Sequence, residues 1–521
     1  MLSALLWIPL IGALVIVLWP GLQTARQVQW FAFMVAGLSL VWTMAIGLQF
    51  DAIAPNSQFQ ESLPWLDNLG LRYQVGIDGL SFPLIALNSL LTGIAIYGSD
   101  EDIERPRFYY GLLLILNFGV VGAFIAQNLL LFFLFYEIEL IPLYLLIAIW
   151  GGARRGYAAT KFLIYTAVSG IAILGSFLGL VWLSGADSFV YQSDLAQALP
   201  LTQQLILLGG LLLGFGIKIP LVPFHTWLPD AHVEASTPIS VLLAGVLLKL
   251  GTYGLLRFGV GLFPEAWSFL APWLATWAAV SVLYGALTAI AQTDMKKMVA
   301  FSSVGHMGYI LLAAAAATPL SLIATVVQMI SHGLISALLF LLVGVVYKKT
   351  GTRDLTILRG LLNPERGLPV IGSLMVVGVM ASAGVPGMAG FISEFLVFRG
   401  SFPDFPVQTL VAMLGTGLTA VYFLLLVNRA FFGRLNTRAD GQAVVLPPVT
   451  WRERAPGAIL ALFIVGFGLQ PHWMTGWAQA TLSGLMPPAI AVAHLPVSPL
   501  TVSATNASLP LPSAISGFLE K

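Results

Sequence analysis

Apolar residues run in blocks along most of this chain, and polar residues collect in short stretches between them. A helix needs about 20 mostly apolar residues to cross a bilayer, so each block predicts a spanning α-helix. The blocks lie near 3–20, 30–50, 80–98, 108–126, 129–150, 161–184, 203–222, 238–257, 271–291, 298–317, 320–347, 368–398, 408–430 and 456–475. The pattern predicts an all-α, polytopic membrane protein with about fourteen transmembrane helices. Residues 51–79 are polar and contain proline, which predicts an ordered loop outside the bilayer. The stretch 486–521, rich in Pro, Ser and Ala, predicts an extended peripheral tail.

Composition sharpens this reading. Of 521 residues, 58% are hydrophobic and 9% charged, where a soluble protein carries about a quarter charged. The net charge of +1 offers no basic surface for nucleic acid. The absence of cysteine excludes disulfides, Cys-ligated iron–sulfur clusters and thioether-linked haem in this chain. The opening MLSALLWIPLIGALVIVLWPG has no basic leader and no small-residue cleavage site, so it reads as a first spanning helix.

Most Lys and Arg residues fall in alternate loops: Arg26; Arg105 and Arg107; Arg154, Arg155 and Lys161; Lys296 and Lys297; the 348–366 stretch; and the 429–454 stretch. The opposite loops and tail hold Arg72, Arg257, Arg399 and Lys521. Basic loops stay cytoplasmic, so both termini are expected on the outer, lumenal or periplasmic, side.

Two spans carry helix breakers beside a charge. In 211–230, Gly214, Gly216 and Pro220 bracket Lys218; in 380–395, Gly384, Pro386, Gly387 and Gly390 precede Glu394. Short interrupted spans at matching positions in two halves predict an internal repeat with a site at mid-membrane. The expected layout is three N-terminal helices (1–107), a first five-helix repeat (108–257), a second (271–430), a C-terminal helix with its preceding cytoplasmic loop (431–480) and a peripheral tail (481–521). Each repeat contains one broken helix as its fourth member.

Glu137, Lys218, Lys249 and Glu394 each interrupt an apolar segment. A charge at bilayer depth costs roughly 2.5 to 3.5 kcal/mol on insertion scales and persists where it meets a partner or a water-filled path. A structural acid satisfied by a neighbouring helix is the plainer alternative for Glu137. Glu139, two residues on, points to another side of the helix and reads as an auxiliary or subunit-contact acid. Lys249 lies about 16 Å along its helix, near the membrane centre. His306 and His332 are the remaining titratable groups at depth, suited to relay between lysine and glutamate; structural histidines or a bis-histidine haem are the alternatives. The cluster His225, Asp230, His232 and Glu234 fits no zinc spacing and reads as a rigid cytoplasmic turn at the mouth of the path. No catalytic or metal site is expected in this chain.

The stretches GFGIKIPLVPFHTWLPDAHVEASTPISVLLAGVLLKLGTYGLLRF, DMKKMVAFSSVGHMGY and AGVPGMAGFISEF resemble the antiporter-like membrane subunits of respiratory complex I. That family also includes subunits of multisubunit sodium/proton antiporters. The resemblance covers about residues 1–480. Glu394 in the second broken helix, together with FYEIELIPLYLLIAIWGG and RRGYAATKFLIYT, is most similar to the chain 4 type.

The resemblance implies fourteen helices with two inverted five-helix repeats, each enclosing a half-channel. It implies that Glu137 modulates Lys218, that Lys218 exchanges protons with Lys249, and that His306 and His332 lead on to Glu394. The function implied is proton translocation, as a subunit of an NAD(P)H or ferredoxin:quinone oxidoreductase of the NDH-1 type. This chain would hold no cofactor; quinone (plastoquinone), iron–sulfur clusters and the electron donor would sit elsewhere in the complex. Implied partners are the sister subunits of the membrane arm and lipids, with no nucleic acid. Similarity of several segments to cyanobacterial and plastid relatives implies a thylakoid membrane, a bacterial plasma membrane being the alternative. A sodium/proton antiporter subunit and a structural scaffold are the other two readings.

Overall fold

The structure is a computed structural model that describes residues 1–435 and 445–484; the rest of the expected tail and part of the 431–450 loop lie outside the described residues. α1 (Leu2–Leu18) and α2 (Ala25–Gly47) are followed by an antiparallel hairpin, β1 (Gln58–Leu66) and β2 (Leu71–Ile77). This hairpin occupies the segment expected as an ordered loop. Next come α3 (Phe82–Tyr97), α4 (Pro106–Ile125), α5 (Leu129–Ile138), α6 (Leu140–Trp150), α7 (Arg155–Ser184), α8 (Leu201–Lys218) and α9 (Trp227–Glu234). α10 (Thr237–Leu242) and α11 (Leu248–Gly254) alternate with two π-helical stretches, Leu243–Leu247 and Leu255–Val260, to make one continuous span. α12 (Pro264–Ile290), α13 (Met295–Ala316), α14 (Pro319–Thr350), α15 (Pro369–Ser382), α16 (Ala389–Ser401), α17 (Pro406–Phe431), α18 (Trp451–Leu469), α19 (His472–Thr475) and α20 (Gln479–Gly484) complete the described chain.

Helix starts follow local chemistry. Asp294 accepts from the amides of Lys296 and Lys297, Asn128 from those of Leu130 and Leu131, and Thr318 and Ser321 form a reciprocal cap. Each side chain satisfies amides that an α-helix leaves open. Proline opens α4, α12, α14, α15 and α17, where its missing N–H costs nothing.

Ten segments among the described residues are long and apolar enough to cross a membrane, while α1, α3 and α15 are apolar but shorter. The block 129–150, expected as one helix, is divided at Glu139. Pro142 offers no N–H to the Ile138 carbonyl, so the helical ladder lapses there. Arg257, expected in an outer loop, instead lies 5% exposed inside the α10–α11 span.

The core sits where lipid cannot reach. The α10–α11 span is wholly buried, as is 94% of the central window of α13 and of α14, against 28% for α2 and 39% for α17. α12 and α13 make the most extensive helix pair. Their closest approach is at Gly285, where an added Cβ would stand 2.5 Å from the Gly305 amide nitrogen. The small residues bring the backbones together as membrane helices require. Gly285→Leu is expected to force the pair apart at an overpacking cost of about 1–3 kcal/mol, read as a lower unfolding temperature of the purified protein in detergent.

Candidate functional site

α8 ends at Lys218, so the ammonium stands at the carbonyl end of a helix, where its charge is favoured. Lys218 Nζ donates to Glu139 Oε1 in a direct ion pair, both groups being almost fully buried. The Tyr136 ring lies 4.8 Å from the same nitrogen, and the Tyr136 hydroxyl is bonded to Ser169 Oγ at 2.9 Å. Glu137 also interacts electrostatically with Lys218. Its carboxylate lies over the α7 backbone, so close that a Cβ on Gly170 would overlap it. Glu139 therefore holds the direct contact, and its burial removes it from any subunit surface. Among the described residues, its second oxygen, Oε2, is buried without a hydrogen-bond partner.

Lys249 sits on the wholly buried span. Its Nζ donates to the Ala244 carbonyl at 2.7 Å and contacts His332 Nδ1 at 2.8 Å. Ala244 belongs to the Leu243–Leu247 π stretch, whose i→i+5 pattern leaves carbonyls free of the usual i+4 partner. The altered backbone thus offers an oxygen to the ammonium five residues on. Lys218 packs beside the same span: a Cβ on Gly251 would lie 3.2 Å from Lys218 Cβ. No hydrogen bond among the described residues joins the two lysines.

From Lys249 onward polar groups follow one another at close range, though not all are hydrogen-bonded. His332 Nε2 contacts Ser303 Oγ at 3.1 Å, and the His306 ring lies 5.5 Å from the His332 ring. His306 Nε2 is 3.1 Å from Ser382 Oγ, and its Nδ1 is 3.7 Å from Glu394 Oε1. Glu394 Oε2 accepts from Thr416 Oγ1 at 2.9 Å, which in turn meets Tyr309 at 3.1 Å. A cavity of about 10 Å³ opens between the two histidines and Glu394, room for about one water. Ser331 Oγ and Gln328 Oε1, on residues that line it, have no protein partner, so one water there would satisfy polar groups otherwise orphaned.

Glu394 reaches this position because the chain is non-helical from 383 to 388, with Gly384 (φ +70°) and Gly387 (φ +91°) in the left-handed region that favours glycine. Gly390 permits the close return: a Cβ there would strike the Ala381 carbonyl. Between α8 and α9 the non-helical stretch contains Pro220 and Pro223.

The cluster expected as a rigid turn lies mostly on a helix, α9, and its His232 is near enough to Lys249 and His332 to interact with both electrostatically. Asp230 pairs with Lys161 at 2.8 Å, and Glu234 accepts from the Arg154 amide at 2.8 Å. His225 packs edge-on against Tyr284. His232 is stacked on Phe340 at 4.3 Å, and neither ring nitrogen has a protein partner. The sequence reading missed a second buried ion pair, Arg257 Nη2 with Asp78 Oδ2, flanked by the Tyr191 and Tyr253 rings at 5.6 and 5.5 Å. An Asp at the foot of a hairpin and an Arg at the edge of an apolar block were its only signs.

The fold and site define a class: a helical membrane protein whose interior holds a row of ionisable side chains. Residues 126–419 match the family described as NADH:quinone oxidoreductase/Mrp antiporter, transmembrane, and the chain belongs to that family. Relatives include NAD(P)H-quinone oxidoreductase chain 4 1 of Synechococcus sp. (strain JA-3-3Ab), 42% identical and covering 91% of this chain and 90% of its own. NAD(P)H-quinone oxidoreductase chain 4 2 of Thermosynechococcus vestitus is 39% identical, covering 96% of both. Among solved structures, a chain of respiratory complex I from Thermus thermophilus superimposes with a TM-score of 0.83 at 28% identity, covering 94% of this chain and 99% of that one. A chain of the Mrp complex from Dietzia sp. shares the fold (TM-score 0.84, 21% identity, 94% and 98% covered).

Removing one partner of a buried ion pair costs about 3–5 kcal/mol, because the other charge is left uncompensated. Glu139→Gln is therefore expected to lower thermal stability clearly more than Glu137→Gln, measured side by side in the same detergent.

Proposed function

We propose that this chain is a proton-translocating membrane subunit of an NAD(P)H or ferredoxin:quinone oxidoreductase of the NDH-1 type. The observation that carries the reading is the Lys249 Nζ–His332 Nδ1 contact at 2.8 Å inside a wholly buried span. It places a proton donor against a proton acceptor where neither meets lipid. The ten long spans, with α1, α3, the α15–α16 pair and α18, make fourteen. Two five-member units follow, α4 to α11 and α12 to α17, each with a break in its fourth member, and we infer that these are inverted repeats.

The acids of the first unit are Glu137 and Glu139, of which Glu139 clamps Lys218. Withdrawing that carboxylate removes the charge that stabilises the ammonium and favours proton release toward Lys249. The absence of a hydrogen bond between the lysines makes that interval the step that opens and closes. His332, His306 and Glu394 then carry the proton onward, with His225, Asp230, His232 and Glu234 at the cytoplasmic mouth. Quinone, plastoquinone in a thylakoid membrane, is reduced elsewhere in the complex, and sister membrane subunits flank this chain. The chain 4 names and cyanobacterial sources of the relatives support these assignments, as the alternating basic loops support outward termini.

The test is quinone reduction with simultaneous proton uptake in membranes carrying Lys249→Ala beside wild type. Both are expected to fall together. Unchanged pumping would mean that the buried charges are structural. Sodium-dependent exchange without an electron donor would favour the antiporter reading instead.

A further inference from the structure

A cavity of about 550 Å³ opens between α2, α3 and α18, lined by apolar and aromatic residues that include Phe33, Leu40, Gly93, Tyr97, Trp451 and Leu462. Its size falls within the range of about 300–1,000 Å³ usual for small-molecule sites. It is roomy at Gly93, where an added Cβ meets nothing within 4 Å. Trp451 and Leu462 are 67% and 71% exposed, so the cavity is an open groove on the membrane-facing surface.

Its length and charge say what fills it. From Trp451 to Leu462 the α18 helix rises about 16 Å, roughly half of a bilayer core of about 30 Å. The groove starts at the basic helix ends, cytoplasmic by the distribution of Lys and Arg, and stops near mid-membrane. A helix of a neighbouring subunit would need a groove running the whole thickness; an acyl chain of one leaflet would not. Three arginines lie in the first turns of two helices that border the groove, Arg26 on α2 and Arg452 and Arg454 on α18. Arg452 is neutralised by Glu101 and held by Gln29 Oε1 at 2.5 Å. The adjacent Glu453 pairs with Lys349 rather than with Arg454; Arg454 lies 5.4 Å from the Trp451 ring, and among the described residues its Nε is buried without a hydrogen-bond partner. Arg26, at the start of α2 on the face that carries Phe33 and Leu40, is exposed and likewise unpaired among the described residues. Unneutralised arginines at headgroup level, above an apolar slot one leaflet deep, are complementary to an anionic lipid.

We propose that this groove is a binding site for an anionic diacyl lipid of the cytoplasmic leaflet, with an acyl chain lying along Gly93 and its headgroup phosphate or sulfonate at Arg454 and Arg26. The site is independent of the proton route and stands or falls separately from it.

The experiment uses the assembled complex in liposomes containing phosphatidylglycerol or phosphatidylcholine with a photoactivatable group in the acyl chain. Labelling of α3 and α18 peptides is expected, with phosphatidylglycerol favoured. Gly93→Leu projects a side chain from α3 into the slot, where its Cβ meets nothing within 4 Å, and should reduce the labelling sharply. Arg454→Gln should reduce the preference for phosphatidylglycerol by about fivefold, the value of one arginine at a charged surface. Equal labelling by both lipids, labelling insensitive to Gly93→Leu, or cross-links from these peptides to another subunit in place of lipid would overturn the proposal. The two substitutions lie on different elements, so failure of either variant to assemble leaves the other to decide.

Discussion

The ammonium of Lys249, held by the Ala244 carbonyl and the His332 ring, sets the terms for the rest of the bundle. A lysine on a lipid-facing helix can bend its chain toward water. This one sits on a span buried on every side, so its polar end must be met where it stands. The π stretch supplies the oxygen and α14 supplies the ring. α13, drawn in against α12 by Gly285 and Gly305, brings Ser303 and His306 alongside. The most enclosed helices are therefore those that carry the ionisable groups, and the more exposed helices α2, α7 and α17 form the jacket around them.

Much of this was legible in the sequence, for a physical reason. Hydrophobic blocks of membrane length and breakers such as Gly384 and Gly387 report the depth of a residue along the bilayer normal. They identified Lys218, Lys249, His306, His332 and Glu394 as groups at depth, and the structure places Lys249, His332, His306 and Glu394 next to one another in a row. What sequence pattern does not report is direction around the helix once the backbone departs from 3.6 residues per turn. Glu139, read as an auxiliary or subunit-contact acid, is fully buried and pairs with Lys218, a partnership set by tertiary packing that periodicity does not report. The free Ala244 carbonyl was invisible because nothing in LAGVL distinguishes a π turn from an α turn. The Asp78–Arg257 pair was missed because its members are 179 positions apart, and a charge near the end of an apolar block looks like a loop residue.

The row is not uniform, and its unevenness bears on mechanism. Beyond Lys249, the hydroxyls of Ser303 and Ser382 stand beside the two histidines and a one-water cavity lies between the histidines and Glu394. Between Lys218 and Lys249 no such bridge exists among the described residues, although the two side chains grow from packed neighbours. A row bridged along its whole length would conduct protons down any gradient and could not be driven against one. An interruption is therefore a requirement of the proposed function, and the place for it is next to the group whose charge balance can be changed. Lys218 meets that condition, clamped on one side by Glu139 and free of a bridge on the other. The buried Oε2 of Glu139, lacking a hydrogen-bond partner among the described residues, leaves the clamp with an acceptor still unused. That unused acceptor is where a rearrangement of α5 or α6 would first change the balance of the pair.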